Sequence, residues 1–201
     1  MRFYEVTLRI EGLAGDVHTF HDQHLADGRF SFNSAVPMPP ELEFDMNNFV
    51  EDGYNALFGE WRKLSHYWMF KEAAAVRGYS FPLGRREQVV TCIEALGEPG
   101  VERLRLGRLY KTNLERFGYG HAQEWRKAHW GTAFDIFDVV IEHQAGLIIR
   151  FVSPGAPGRK IFGLYSKMHS ELSLAISYQE QGSAGPRKVL TFKAGQAVSL
   201  Q

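Results

Sequence analysis

The chain has almost nothing with which to cross-link itself or enter a membrane. Its single cysteine, Cys92, cannot form an intramolecular disulfide, and a reducing compartment fits. No stretch approaches the roughly 20 apolar residues that a spanning helix needs. The opening MRFYEVTLRIEG alternates in polarity instead of presenting an apolar core, unlike a signal peptide. Charge of one sign is not in excess either. The 23 basic residues balance the 23 acidic ones, where a general nucleic-acid coat protein would carry a large basic surplus. The expected setting is the cytosol, with no membrane partner.

Catalytic signatures are also missing. There is no G-x-S-x-G nucleophile turn, no H-E-x-x-H, and no H-x-E paired with P-C-x-x-C. SPGAPGRK at 153–160 follows a strand and opens a helix, the setting of a phosphate loop. It fails the G-x-x-x-x-G-K-[ST] pattern because Lys160 precedes Ile161 and Pro157 removes an amide donor. That leaves Arg159 or Lys160 for a weak anion contact at most. GLIIRFVS lacks the aromatic and basic pattern with which a sheet stacks RNA bases. No catalytic residue, metal site or cofactor is assigned on these grounds.

What is present is a folded core. A length of 201 residues with 44% apolar and 13% aromatic side chains suits one domain, or one with a large insertion. Tyr4, Val6, Leu8 and Ile10 alternate as a half-buried strand. Asp16 is read as the cap of a short helix carrying Val17, Phe20 and Leu25, closed near Gly28. RFSF at 29–32 is read as a second strand, stopped by PMPP at 37–40.

From 41 to about 130 the period changes. Tyr54, Leu57, Phe58, Trp61, Leu64 and Trp68 recur at helical spacing, as do Val89, Cys92, Ile93 and Leu96, then Leu106, Leu109, Tyr110, Leu114 and Phe117. Cys92 is expected to be buried packing. Strands return with Phe137, Val139 and Ile141, a Gly146 turn, then Leu147, Ile149 and Phe151. Ile161, Leu164, Tyr165 and Met168 define a helix face. Leu172, Leu174, Ile176 and Tyr178 form a strand, with two more at 187–193 and 196–200. The expected fold class is therefore α+β: a ferredoxin-like split βαβ antiparallel sheet with a large helical insertion and extra C-terminal strands. As one domain of 1–201, it would build its sheet from 1–40 and 132–201 and its insertion from 41–131.

Charge is segregated along the chain. Glu41, Glu43, Asp45, Glu51, Asp52 and Glu60 crowd 41–60 without a cation. Arg103, Arg105, Arg108, Lys111, Arg116, Arg126 and Lys127 outnumber the acids of 101–127. The favoured reading is two complementary helix faces; the sharper one is a basic face, Arg103, Arg105, Arg108, Lys111, Arg126 and Lys127, for an acidic partner or nucleic acid.

His18, His21 and His24 recur every three residues, with Asp22 four beyond His18, so that helical neighbours could share a metal. His21 and His24 also share a face with Val17 and Phe20, and packing is the favoured reading. The densest segment is QEWRKAHWGTAFD at 123–135. His121, Trp125 and His129 fall on one helix face, which sets the two histidines about 12 Å apart along the axis and excludes a shared metal. Arg126 can reach the Trp130 ring, and Gly131 can close the helix in a left-handed conformation. This spacing favours an aromatic anchor between insertion and sheet, pinned by Trp125 and Trp130, over a catalytic pair.

GYGHAQEW running into HWGTAFD, with FSFNSAVPMPPEL near the N-terminus, resembles the YubB-like proteins of phages, prophages and plasmids. Their pattern is a strand leading into P-M-P, then an aromatic-rich helix running into W-G-T-K-W. IFGLYSKMHSELSLAISYQEQG resembles their closing helix, strand and Tyr-x-Glu turn. The matched positions are Pro37, Met38, Pro39, Trp125, Trp130, Gly131, Thr132, Tyr178 and Glu180, with His129 and Asp135 beside them. Ala133 and Phe134 stand where the family shows Lys-Trp, a departure that favours packing over phosphate contact. The resemblance implies a ferredoxin-like domain with inserted helices on a mobile element, and no settled activity.

The functional expectation is a non-catalytic accessory protein of a phage or other mobile element, in the host bacterial cytosol. It would bind a host protein or ribonucleoprotein complex, inhibition of a host defence system being the concrete form. Two alternatives stand beside it: nucleic-acid binding through the basic face of 101–127, and an enzyme with an unrecognised site near His121, His129 and Asp135.

Overall fold

The computed structural model describes residues 2–25, 28–44, 46–143 and 146–198. Two compact units emerge: a sheet unit of 1–39 and 123–201, and a helical unit of 40–122. The expected boundary at 131/132 thus moves to 122/123. The segment 123–131 goes with the sheet, where Trp130 is buried against Phe32 and bonds the Val36 carbonyl.

The sheet unit is built on β1 (Phe3–Glu11), β2 (Phe137–His143), β3 (Leu147–Pro154), β4 (Ser173–Glu180), β5 (Lys188–Lys193) and β6 (Gln196–Val198). They form one six-stranded sheet in the order β2-β3-β1-β4-β5-β6, and every pairing is antiparallel. The fold class is α+β.

Alternation along β1 sets the register. Val6, Leu8 and Ile10 stand opposite Phe151, Ile149 and Leu147 on one side and Tyr178, Ile176 and Leu174 on the other. All nine are buried, as period-two patterning requires where one face is covered. β2 departs from its expected alternation. A bulge lies between Phe137 and Val140, Asp138 takes a φ of 51°, and Phe137 and Val140 are exposed. The extra residue turns side chains over on this edge strand. Of the strand read at 196–200, residues 199 and 200 lie outside the described residues.

Two helices connect strands within this unit. Helix α1 (Ala14–His24) starts one turn before the expected cap, so Asp16 sits inside the first turn, where a carboxylate favours the helix N-terminus. The helix after SPGAPG, Arg159–Met168, buries Ile161, Phe162, Tyr165 and Ser166, while Met168 is exposed. Its inward face is rotated from the predicted Ile161, Leu164, Tyr165, Met168 set.

RFSF is not a strand. Phe32–Ser34 forms a 3-10 turn, because the Phe32 amide bonds the Asp135 carboxylate instead of a neighbouring strand. Phe30 and Phe32 are both buried, so the apolar signal was sound and the secondary structure read from it was not.

The helical unit holds α2 (Asn48–Leu57), α3 (Lys71–Val76), α4 (Arg86–Glu94) and α5 (Glu98–Phe117). Asn47 caps α2 by accepting the Phe49 and Val50 amides. Gly97 and Pro99 open α5, and Gly118 closes it in the left-handed region. The run from Tyr54 to Trp68 is not one helix. It breaks after Leu57, and Trp61–Lys63 and Trp68–Phe70 are short 3-10 turns. Val89, Cys92 and Ile93 are buried as expected, in a core with Ala56, Leu64, Phe70, Leu83 and Leu104.

Two mid-helix glycines let α2 and α5 touch backbone to backbone. A Cβ at Gly53 would stand 1.8 Å from the Arg103 carbonyl oxygen, and one at Gly107 would stand 2.3 Å from the Gly53 carbonyl carbon. The remaining helices of the sheet unit are numbered α6 (Ala122–His129) and α7 (Arg159–Met168). Gly131 follows α6 with φ +80°, the left-handed stop expected of it. No helix among the described residues is long and apolar enough to cross a membrane.

Candidate functional site

Helix α1 sorts its histidines by face. His18, His21 and Asp22 occupy one side at i, i+3 and i+4. One Asp22 carboxylate oxygen lies 3.3 Å from His18 Nε2 and the other 3.2 Å from His21 Nδ1. The two imidazoles are nearly parallel at 6.3 Å between centroids. His143, at the end of β2, brings its ring to 5.2 Å from that of His21. With Gly12, Ala14, Val17, Gly146 and Leu147, the three histidines line a cavity of about 490 Å³.

His24, grouped with His18 and His21 by spacing, turns to a different set of neighbours. Its Nε2 is 2.9 Å from His169 Nε2, and its ring packs on Phe20 and Tyr165. Ser34 Oγ lies 3.4 Å from His24 Nδ1 and 3.1 Å from the Tyr165 hydroxyl. That hydroxyl donates to the Ser31 carbonyl at 3.1 Å. Ser31 Oγ in turn donates to Asp135 Oδ2, while Asp135 Oδ1 accepts the Phe32 and Ile136 amides at 3.0 and 2.8 Å. A continuous polar chain therefore runs from Asp135 to His169 through the aromatic core.

Burial, aided by the neighbouring His169 and opposed by Ser34, drops the His24 pKa to about 4. Burial also lowers His169. Two imidazole nitrogens this close share one proton, so the pair is neutral at ordinary pH. Tyr165 is pushed upward, first by burial, with the Ser34 hydrogen bond opposing. It keeps its proton and can donate, which makes it neither a base nor a nucleophile. The chain holds structure.

The motif residues are structural fasteners of the sheet unit. Trp130, 1% exposed, donates its indole N–H to the Val36 carbonyl at 3.1 Å and packs edge-on against Phe32. Beside it, the Met38 amide donates to Asn33 Oδ1, so the Pro37-Met38-Pro39 turn and the Trp130-Gly131-Thr132 turn meet. Thr132 is buried. The Trp130 carbonyl accepts the Ile161 amide, and a Cβ on Gly158 would lie 2.1 Å from that oxygen. The N-terminus of α7 is thus occupied by Trp130, and Lys160 Nζ bonds the Ala128 carbonyl. This is the physical reason SPGAPGRK works as a packing loop.

His121 belongs to the helical unit, beside Tyr110 and Phe44. His129 stacks on Trp125 at 4.1 Å and directs Nδ1 to the Trp125 carbonyl. Asp135 is committed to Ser31, Phe32 and Ile136. Arg126 lies over Trp130, as anticipated, at 5.4 Å. Tyr178 packs edge-on to Tyr4, and Glu180 pairs with Arg2.

In the helical unit, most of the basic residues from 101 to 116 are engaged by acids. Arg103 is tucked against Asp52 and over the Phe49 ring. Burial raises the Asp52 carboxyl, with Arg103 opposing. Arg105 pairs with Glu102, Lys111 with Glu115, and Arg116 with Glu41. Arg108 is exposed, while Arg126 and Lys127 belong to the other unit. The complementary-face reading therefore fits Glu41 and Asp52; Asp45 lies outside the described residues.

A different segment of the helical unit presents the open surface. Trp68 is 82% exposed, and Tyr67, Val76 and Phe81 are exposed near it in the chain. The Leu83 amide bonds the Ser65 carbonyl, joining the segment of Phe81 to that of Tyr67 and Trp68. Residues 61–86 carry Arg62, Lys63, Lys71, Arg77, Arg85 and Arg86 against Glu72 alone. Trp61, Arg62, Lys63 and Arg86 help line a cavity of about 350 Å³.

Sequence reasoning missed His143, His169 and the exposure of Trp68. The histidines become neighbours of α1 only through the sheet register. For Trp68, the clue was Gly59, which interrupts the helical period.

No family model matches the chain, and no curated protein matches its sequence. Among solved structures, it is similar to the crystal structure of a protein api92 from Yersinia pseudotuberculosis, described by the family model DUF1281. The two share 9% identity over 98% of this chain and 96% of the other, with a TM-score of 0.45.

Proposed function

We propose that the chain is a non-catalytic accessory protein of a mobile element, of YubB-like lineage, whose helical unit binds an acidic surface on a host protein. The lineage reading rests on the P-M-P and W-G-T segments. The strand order β2-β3-β1-β4 with α1 and α7 as crossovers supports reading the sheet unit as ferredoxin-like with added strands β5 and β6. Inhibition of a host defence complex in the bacterial cytosol is the form this function takes.

The observation that carries the binding reading is Trp68, 82% exposed on a segment whose cations far outnumber its acids. Exposed tryptophan, tyrosine and arginine are the side chains that dominate protein interfaces when buried there. A local basic excess in a chain of zero net charge steers an acidic partner to that segment. Nucleic acid stacked on Trp68 is the competing reading; the paired cations of α5 give it no second surface.

The test is capture from nuclease-treated host lysate, identification of the bound protein, and titration of that purified protein. Trp68→Ala and the double change Arg77→Glu with Arg85→Glu should each weaken binding at least tenfold while circular dichroism stays unchanged. Undiminished binding by both variants overturns the proposal. Capture that disappears on nuclease treatment, with single-stranded nucleic acid shifting in gels and losing affinity on Trp68→Ala, replaces it with the nucleic-acid reading.

A further inference from the structure

We infer that His18, His21 and Asp22 of α1, together with His143 of β2, form a binding site for a divalent transition-metal ion of the zinc class. Three features converge. First, the helical spacing i, i+3, i+4 stacks two imidazoles and a carboxylate on one face. Second, the ligand spacing suits an ion. Tetrahedral zinc with bonds of about 2.0–2.1 Å has ligand atoms about 3.3 Å apart; Asp22 already approaches His18 Nε2 through one carboxylate oxygen at 3.3 Å and His21 Nδ1 through the other at 3.2 Å. One ligand atom from each of the three lies within 4.8 Å of the others, and side-chain rotation brings them to that spacing.

Third, the fourth ligand comes from a separate element. Two imidazoles on one tetrahedral ion have ring centroids about 5 Å apart by the same bond lengths; His21 and His143 stand at 5.2 Å, while the His18 and His21 rings, parallel at 6.3 Å, must turn toward each other to share the ion, and His143 must turn to join the three-residue group of His18, His21 and Asp22. The donor set of three imidazoles and one carboxylate selects zinc, nickel or cobalt over magnesium and calcium, which take oxygen ligands. The adjoining cavity of about 490 Å³ gives the ion an entry path and leaves room for the rings to turn. Without metal, the same carboxylate stands beside both α1 imidazoles at the surface, an arrangement that contributes little stability.

The consequence is a clip between α1 and the edge strand β2. His24 takes no part, since its nitrogens face His169 and Ser34. Because ion binding favours only the folded state, zinc raises the thermal midpoint of the sheet unit.

Titration of the untagged protein with zinc chloride by calorimetry, and with cobalt chloride by visible absorption, tests the site. One ion per chain with a Kd on the order of micromolar is expected, with the strong visible bands of tetrahedral cobalt and a zinc-dependent rise in Tm. His18→Ala and His143→Ala should each weaken binding at least tenfold, while His66→Ala, an exposed histidine of the helical unit, binds as the parent does. His18 is exposed, so its variant tests ligation without disturbing a core. Absence of stoichiometric binding overturns the proposal. So does unchanged affinity in His18→Ala or in His143→Ala, which would mean scattered surface histidines without a shared site.

Discussion

Trp130 donates its indole N–H to the carbonyl oxygen of Val36 across 3.1 Å, and Val36 immediately precedes Pro37. The residue before a proline is held to extended conformations, so this bond fixes the start of the P-M-P turn against the end of α6. The same residue's carbonyl receives the Ile161 amide. One tryptophan thereby joins three chain segments of the sheet unit.

Replacing Trp130 separates its two roles. Trp130→Phe keeps most of the buried ring but leaves the Val36 carbonyl without its donor, at about 1–3 kcal/mol. Trp130→Ala adds a large cavity and should cost about 3–5 kcal/mol. Urea unfolding monitored by circular dichroism checks both. Equal, small losses for the two variants would remove Trp130 from the centre of the fold.

The half-buried His24–His169 pair makes the sheet unit acid-sensitive. The His24 pKa in the folded chain is about 4, against about 6.5 when unfolded. Between these values the unfolded chain binds the extra proton, so stability is intact above about pH 6.5 and falls as the pH drops toward 4. His169 shifts in the same direction. The loss attributable to His24 is up to about 3 kcal/mol. His24→Phe should flatten the stability profile across this window, measured as urea midpoints at successive pH values. A parallel profile in the variant would assign the acid sensitivity elsewhere.

In the helical unit, Gly53→Ala and Gly107→Ala should both destabilise, although alanine is the better helix former by about 1 kcal/mol. The added methyl has no room where α2 meets α5. Separation of the helices costs about 1–3 kcal/mol or more. Thermal melts of either variant at or above the parent midpoint would show that the backbones are not in contact.

Cys92 should be chemically silent. It is fully buried, and burial raises its thiol, with Arg77 opposing, so little thiolate is present or accessible near neutral pH. Reaction with a disulfide reagent should be negligible in buffer and complete in denaturant. Rapid labelling of the native chain would contradict this packing.

Much of the sheet was legible because strand patterning has a period of two. The inward residues of β1 and β4 alternate without interruption, and Gly131 marks its own left-handed turn. The bulge of β2 was not legible, since one extra residue changes facing without changing composition. RFSF read as a strand because two buried phenylalanines alternate with polar residues. The alternative partner for its backbone, Asp135, lies 103 residues away.

The sequence alone determined which residues of α1 could act together, because helical geometry places His18, His21 and Asp22 on one face whatever surrounds them. It also determined the burial of Cys92 and the stop after α6. Only the tertiary structure decided that His24 leaves that group for His169, 145 residues away, that His143 joins it, and that Trp68 faces outward. Spacing within an element defines its faces, but the partner of each face is chosen by strand register and helix packing over separations that local patterning does not encode.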